Sequence, residues 1–293
     1  MQEAKRQGIY WYKPTADALA KLTEWNLSII NEAMLYNLPE QPDASTFAKR
    51  IKAINPNTKI LVSFNAYSVF AKPDSTAGNP YWPIQQMIFK AAEETNAWLK
   101  IDGKFLEADK NTRMFDVRVP AFRYRLAEII NNALDSYEGI DGVHFDELHA
   151  SITFLRSAEV KGLPGDDPRV KDFVSKLPTA AEWTAANKAL LRLIDWPMMS
   201  NGNYDITLHH RTKSRGRYVQ NATSIPDTLL WLKNDMELPI KQRWTTVNPV
   251  EFTDDATKRA WAKFCYSAGI GVQYWAGGIK NAYYNPVIEK LAF

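Results

Sequence analysis

Short runs of strand type alternate with longer amphipathic runs of helix type along the whole chain. The eight strand-type runs are 8–12, 27–33, 59–67, 140–147, 197–203, 217–223, 242–248 and 271–276. The helix-type runs lie at about 15–25, 43–54, 82–95, 120–136, 179–194, 226–236 and 253–268. Because strand, helix and next strand are the repeating unit of a parallel barrel, the alternation predicts a single (β/α)8 TIM barrel domain over residues 1–293. An open doubly wound parallel sheet is the alternative that the same alternation allows.

Two connections are longer than a barrel needs. We name them the third-strand loop (96–119) and the fourth-strand loop (149–178). In the first, Asp102-Gly103 lies between alternating residues and predicts a β-hairpin. Both loops leave the C-terminal ends of strands, which is the face where barrel enzymes carry their active sites. The sequence therefore predicts a barrel with extended loops over that face.

The composition excludes several classes of protein. Of the 293 residues, 24% are charged and 45% are hydrophobic, as is typical of a globular chain. The single cysteine, Cys265, can form neither an internal disulfide nor a Cys-rich zinc site. No apolar run approaches the roughly 20 residues that cross a bilayer. A net charge of +3 gives no reason to expect a nucleic-acid partner.

Motifs for nucleotides, metals and a nucleophilic serine are also missing from the sequence. It contains no Gly-x-Ser-x-Gly, no P-loop and no Gly-x-Gly-x-x-Gly that opens a helix, so we predict neither a cofactor nor a bound metal. The pattern does not set the oligomeric state. The polar segment Met1–Arg6 lacks the features of a signal peptide, and an extracellular or cell-surface location would imply a leader that has been removed.

The fourth predicted strand carries the strongest chemical signal. Because side chains alternate along a strand, Val143 and Phe145 share one face, while His144 and Asp146 share the other. The apolar pair suits the helix layer, which leaves Asp146 pointing into the barrel at its mouth. A carboxylate in this position suits glycoside hydrolysis, as nucleophile, base or stabiliser of a cationic transition state. A carboxylate that caps a helix or anchors a loop is the other interpretation.

The segment Gly139–His149 resembles the fourth-strand motif of barrel glycoside hydrolases in and around the α-amylase-like superfamily, where a D-G-x-x-x-D run ends in a catalytic Asp. Upstream, Trp98–Gly103 and Met114–Pro120 resemble the hairpin and the helix start that precede this strand in glycoside-hydrolase-like barrels. The resemblance covers about 96–149. It implies a barrel that hydrolyses a poly- or oligosaccharide through a carboxylate pair that includes Asp146.

The second carboxylate of the pair does not follow from the resemblance. His144 stands where α-amylase-like enzymes have Arg, and the fifth-strand segment 198–205 has no Glu. Glu147 is our first candidate, provided that the strand alternation breaks there, and Glu32 at the end of the second strand is the next. Glu32 could equally be a rim residue bonded to a neighbouring loop. Without a partner for Asp146, the chain would be an inactive carbohydrate-binding barrel serving recognition in a larger phage or cell-envelope assembly.

Aromatic and amide residues recur at the predicted strand ends of a chain that is 12% aromatic. Sugar rings have apolar C–H faces and hydroxyl edges, which such side chains bind. We therefore predict a substrate cleft, although about half of these rings could instead pack outward beneath helices. The predicted substrate-binding residues are Trp11, Tyr12, Asn65, Tyr67, His144, Asn201, Asp205, Trp244, Asn248, Tyr274 and Trp275. Among them, His144 is expected to hold the Asp146 carboxylate by a hydrogen bond.

A basic segment lies between the fifth and sixth predicted strands. Residues 209–217 read His-His-Arg-Thr-Lys-Ser-Arg-Gly-Arg. A local positive potential of this kind would attract an anionic substrate such as an acidic polysaccharide. A solvated loop is the alternative interpretation.

Overall fold

The computed structural model describes residues 7–11, 27–32, 44–71, 83–109, 112–157, 159–201, 214–219, 246–247, 256, 260 and 271–276. The strands are β1 (Gln7–Trp11), β2 (Leu27–Asn31), β3 (Lys59–Asn65), β4 (Ser68–Phe70), β5 (Lys100–Ile101), β6 (Lys104–Phe105), β7 (Glu107–Asp109), β8 (Thr112–Met114), β9 (Gly142–Asp146), β10 (Met198–Asn201), β11 (Ser214–Val219), β12 (Thr246–Val247) and β13 (Gly271–Ala276). The helices are α1 (Ala44–Ile54), α2 (Pro83–Glu94), α3 (Pro120–Asp135), α4 (Pro168–Ser175) and α5 (Ala180–Leu191).

Eight of these strands form the main sheet, and each overlaps one of the eight predicted runs. They pair in parallel in the order β1, β2, β3, β9, β10, β11, β12 and β13, and β13 pairs with β1 to complete the cycle. A parallel arrangement brings the C-terminal ends of all these strands to one rim. The predicted mixed α/β fold around a parallel sheet is confirmed.

Helices occupy the connections of the part of the barrel that the structure describes in full. The predicted helices near 43–54, 82–95, 120–136 and 179–194 correspond to α1, α2, α3 and α5. Those predicted at 15–25 and 226–236 lie outside the described residues, and only residues 256 and 260 of the last one are described, both helical. The complete (β/α)8 arrangement and the single-domain assignment stay predictions. Among the described residues, no helix combines the length and the apolar character needed to cross a membrane.

The two faces of β9 differ as the alternation predicted. Val143 and Phe145 are fully buried and belong to the apolar core that α2, α3 and α5 cover. Trp183 of α5 is also fully buried in that core. His144 is also fully buried, but it lies on the opposite face of the strand, against Ser63 of β3.

The third-strand loop contains the predicted hairpin. Strands β5 and β6 pair antiparallel across a turn in which Asp102 and Gly103 have φ values of 51° and 77°. Two successive residues with positive φ favour Asp-Gly, which is why this dipeptide closes two-residue hairpins. A small antiparallel sheet of β4, β8 and β7 lies beside the hairpin, and the sequence analysis did not predict it.

Helix α4 interrupts the fourth-strand loop and was also missed. Its start is set by Asp167, whose side chain accepts a hydrogen bond from the amide of Arg169, and by Pro168 in the first turn. The hairpin and α4 face each other across a groove of about 620 Å³. Ion pairs cross it from Lys104 to Glu159 and from Lys176 to Asp102. The apolar residues that line the groove include Ile101, Phe105, Leu106, Val160 and Phe173.

Strand β9 approaches β10 so closely at Gly142 that no side chain fits there. A Cβ at this position would collide with the carbonyl oxygen of Pro197 and lie 3.3 Å from Cδ2 of Leu61. The same carbonyl accepts a 3.0 Å hydrogen bond from the amide of Val143, so it cannot withdraw without breaking the ladder. Glycine at position 142 is therefore a requirement of the strand pairing.

We expect Gly142→Ala to lower the free energy of unfolding by about 2 kcal/mol, because the added methyl group forces two paired backbones apart. Gly165→Ala is the matched control, because a Cβ there meets nothing within 4 Å, and such a surface change shifts stability by no more than about 0.5 kcal/mol. Urea denaturation of both variants measures the difference. Equal stabilities would contradict the close approach of β9 to Pro197.

Candidate functional site

The site begins at the C-terminal end of β9, where Asp146 is the last strand residue and pairs with Asn65 of β3. The carbonyl of Asp146 accepts a 2.8 Å hydrogen bond from the amide of Ala66. Two residues earlier on the same strand, Nδ1 of His144 lies 2.9 Å from the hydroxyl oxygen of Ser63. Burial lowers the pKa of His144 to about 3, so its imidazole is neutral at ordinary pH. The predicted hydrogen bond from His144 to the Asp146 carboxylate stays a prediction.

The strand alternation breaks at Glu147, as our first choice of a second carboxylate required. Glu147 has a φ of 58°, and its amide donates a 3.1 Å hydrogen bond to Oδ1 of Asp146. A positive φ is uncommon for a residue other than glycine and redirects the chain at this point. The side chain consequently lies beside Tyr67 and His149 rather than on the outer face that simple alternation would give it.

Two hydrogen bonds hold the Glu147 carboxylate. Its Oε2 lies 2.6 Å from Nε2 of His149 and accepts a longer, 3.4 Å bond from the hydroxyl of Tyr67. The hydrogen bond with His149 is the main cause that lowers the pKa of Glu147, against the opposing effect of partial burial. Glu147 is therefore an ionised acceptor, which is the wrong protonation state for a general acid.

Glu32 has the opposite character. It directly follows β2, is only 4% exposed, and accepts a hydrogen bond from Nε2 of Gln85 in α2. Burial raises the pKa of Glu32 to about 7, and the negative charge of Asp146 adds to the rise, while the Glu32 backbone and Gln85 oppose it. The bond to Gln85 agrees with the rim interpretation, but the effect of Asp146 also means that the two carboxyl groups influence each other electrostatically.

The other predicted substrate-binding residues fall into three groups. Asn65 and Tyr67 are close to the carboxylates. Asn65 Oδ1 accepts hydrogen bonds from the backbone amides of Tyr67 and Ser68, and Tyr67 is only 7% exposed. A second group lies in the strands of the main sheet, where the backbone alone is described: Trp11, Asn201, Tyr274 and Trp275. The remaining ones lie outside the described residues: Tyr12, Asp205, Trp244 and Asn248.

Three residues of the site were missed by sequence reasoning. Gln85 binds Glu32, His149 binds Glu147, and Phe154 is 48% exposed with its ring centroid 4.6 Å from that of His149. Only His149 had a usable signal, since it follows Glu147 by two residues in the segment that resembles glycoside hydrolases. Gln85 and Phe154 come from a helix and a loop whose positions relative to β9 no local pattern gives.

Replacing Glu32 by Gln is expected to change the pH dependence of stability. The pKa of Glu32 rises from 4.5 to about 7 on folding, so the folded chain binds this proton more tightly than the unfolded chain. The native protein therefore loses up to about 3 kcal/mol of stability as pH rises from 4.5 to 7. Glu32→Gln removes this loss, because the neutral amide can still accept the hydrogen bond from Gln85. Urea unfolding between pH 4.5 and 8 measures the difference.

Glu147→Gln is the control of opposite sign. A carboxylate with a lowered pKa stabilises the folded chain above its unfolded pKa, and this contribution is lost as the pH falls. The Gln variant should therefore be less stable than the native protein at neutral pH and approach it in acid. If the free energies of unfolding of the native protein and of Glu32→Gln changed in parallel between pH 4.5 and 7, Glu32 would not be a buried acid.

No protein-family profile and no curated protein sequence matches the chain. Solved structures match it over nearly its whole length. The GH36 α-galactosidase AgaB from Geobacillus stearothermophilus has a TM-score of 0.58 at 13% identity, covering 99% of this chain and 41% of its own. For a variant of the GH36 α-galactosidase AgaA from the same bacterium, in complex with stachyose, the TM-score is 0.56 at 12% identity, with coverages of 99% and 41%.

A xylosidase from Aspergillus niger matches with a TM-score of 0.54 at 14% identity, covering 96% of this chain and 45% of its own. The chain thus spans less than half the length of each of these enzymes. At such low identity the likeness concerns the fold alone. It confirms the kind of fold that the 96–149 segment implied: the chain has a glycoside-hydrolase-like fold.

Proposed function

We propose that the chain is a glycoside hydrolase of the (β/α)8 barrel type that acts on a poly- or oligosaccharide with Asp146 and Glu32 as its carboxyl pair. The observation that carries the proposal is the contrast between the two carboxyl groups. Burial raises the pKa of Glu32 to about 7, and the charge of Asp146 adds to the rise. A protonated and an ionised carboxyl group under mutual influence are what glycoside hydrolysis requires.

In this proposal Glu32 is the general acid and Asp146 the negative partner. Glu32 donates its proton to the glycosidic oxygen as the bond from that oxygen to the anomeric carbon breaks. Asp146 either attacks the anomeric carbon as nucleophile or takes a proton from the attacking water, and in both cases its charge stabilises the oxocarbenium-like transition state. The separation of the two carboxyl groups would decide between the retaining and the inverting outcome.

Glu147, our first choice from sequence, is less suited to donate a proton, because its hydrogen bond with His149 lowers its pKa. The aromatic cleft predicted at the strand ends would bind the polysaccharide on either side of the pair. An anionic substrate is the alternative that the basic segment 209–217 favours, and residues 209–213 of this segment lie outside the described residues. Substrate charge is therefore a variable of the experiment.

The second candidate function is carbohydrate binding without cleavage, for recognition in a larger phage or cell-envelope assembly. One observation favours it: Glu32 is 4% exposed and already bonded to Gln85, as a purely structural carboxyl group would be. A barrel in which this group never contacts the glycosidic oxygen would bind sugar and leave it intact.

Turnover on a panel of neutral and acidic glycans tests the assignment. We expect Asp146→Asn to lower kcat/KM by at least about a thousandfold, and Glu32→Gln to lower kcat by about 10² to 10⁴, the range typical of a lost general acid. An aryl glycoside with a nitrophenolate leaving group needs no protonation, so the Glu32→Gln enzyme should retain most of its activity on it. Unchanged turnover by Asp146→Asn would overturn the catalytic role, and binding without turnover by the native protein would favour the second function.

A further inference from the structure

We propose that Glu147 and Phe154 form a sugar-binding subsite beside Asp146, and that this subsite takes an uncharged pyranose and rejects a uronate. The inference rests on the proposed function and specifies which class of sugar the site accepts next to the reacting bond. Three features of the described residues carry it: an open carboxylate oxygen of Glu147, an exposed ring that contacts the same histidine as this carboxylate, and the local charge.

The first feature is the half-open state of the Glu147 carboxylate, whose side chain is 38% exposed. Both of its hydrogen bonds, with His149 and Tyr67, go to Oε2. Within the described part of the chain, Oε1 has no hydrogen-bond partner. One oxygen is thus clamped and the other is accessible, which gives an oriented acceptor for a sugar hydroxyl. The hydrogen bond that the backbone amide of Glu147 donates to Asp146 Oδ1 keeps this acceptor next to the proposed reacting group.

The second feature is the exposed ring of Phe154. It meets the imidazole of His149 edge to face, with the two planes at 67°. His149 in turn contacts Glu147, so the ring lies within two side-chain contacts of the open oxygen. Nearly half of the Phe154 surface faces solvent. A ring presented beside an oriented acceptor matches a pyranose, which has an apolar C–H face and a hydroxyl edge.

The third feature is the sign of the local charge. Asp146 and Glu147 are consecutive, and the hydrogen bond with His149 keeps Glu147 ionised. Arg156, the basic residue closest to Phe154 in sequence, donates from Nη1 to the carbonyls of Thr153 and Leu155, so this nitrogen is turned onto its own loop. A uronate carboxylate placed here would meet two like charges, whereas a hydroxymethyl group would meet none.

Binding measurements on the Glu32→Gln protein test the subsite, because this background slows cleavage and keeps the charges of both Asp146 and Glu147. The neutral probes are raffinose, maltotriose, xylotriose and cellotriose. Trigalacturonate and its methyl ester form a matched pair that differs in charge while keeping the same sugar ring. Isothermal titration calorimetry gives the dissociation constants.

We expect at least one neutral trisaccharide to bind, and free trigalacturonate to bind at least about tenfold more weakly than its ester. Added to that background, Phe154→Ala should weaken neutral binding about three- to tenfold, as expected for a lost stacking contact, and Phe154→Tyr should restore it. Tyr124→Ala, which removes a ring that is 63% exposed on α3, should have no effect. Glu147→Gln should weaken neutral binding and narrow the preference for the ester.

The subsite is overturned if no neutral probe binds, if Phe154→Ala behaves like Tyr124→Ala, or if free trigalacturonate binds more tightly than its ester. Its failure is distinguishable from failure of the proposed function. If the native protein hydrolyses a glycan while any of these results is found, the proposed function stands and the subsite is wrong. If neutral sugars bind in a manner that depends on Phe154 but the native protein hydrolyses no glycan, the subsite stands and the proposed hydrolase function is wrong.

Discussion

The closeness of β9 to its neighbour β10 fixes the strand that carries His144 and Asp146. At Gly142 the strand runs against the carbonyl of Pro197, and the ladder continues from the amide of Val143 to that same carbonyl. On the other side β9 pairs with β3 over residues 61–65. Because β9 is held from both sides, His144 and Asp146 come to the barrel interior and its mouth. The same register makes Asn65 the neighbour of Asp146.

The site separates three acidic residues by environment rather than by residue type. Glu32 is buried with Gln85 and favours its proton, whereas Glu147 is held by His149 and favours its charge. Asp146 interacts with both residues. Its carboxylate accepts a hydrogen bond from the amide of Glu147, and its negative charge adds to the rise in the pKa of Glu32. Three carboxyl groups at the ends of β2 and β9 would repel each other if all were ionised, and protonation of the buried one relieves that repulsion.

The sequence was sufficient for the strands of the main sheet, because a parallel strand that is covered on one side by helices carries a strong apolar signal. It was insufficient for α4, since Pro164, Gly165 and Pro168 resemble a turn unless Asp167 is recognised as the helix cap. The place of Asp146 at the end of its strand followed from the strand-type run 140–147. The protonation of Glu32 did not, because it depends on how deeply the folded chain buries this carboxyl group, which no local pattern gives. The break in alternation at Glu147 was a condition of choosing this residue, and the strand periodicity alone could not supply it.

The third-strand loop and the fourth-strand loop are connected by ion pairs at the protein surface, unlike the strands of the barrel. Their groove is crossed by ion pairs from Lys104 to Glu159 and from Lys176 to Asp102, all with side chains more than one third exposed. Pairs of this kind weaken as dissolved salt screens their charges, while the apolar packing beneath the strands does not. The width of the groove is therefore tied to the ionic strength of the surroundings. Dissolved salt would therefore loosen the contact between the two loops and leave the apolar packing beneath the strands unchanged.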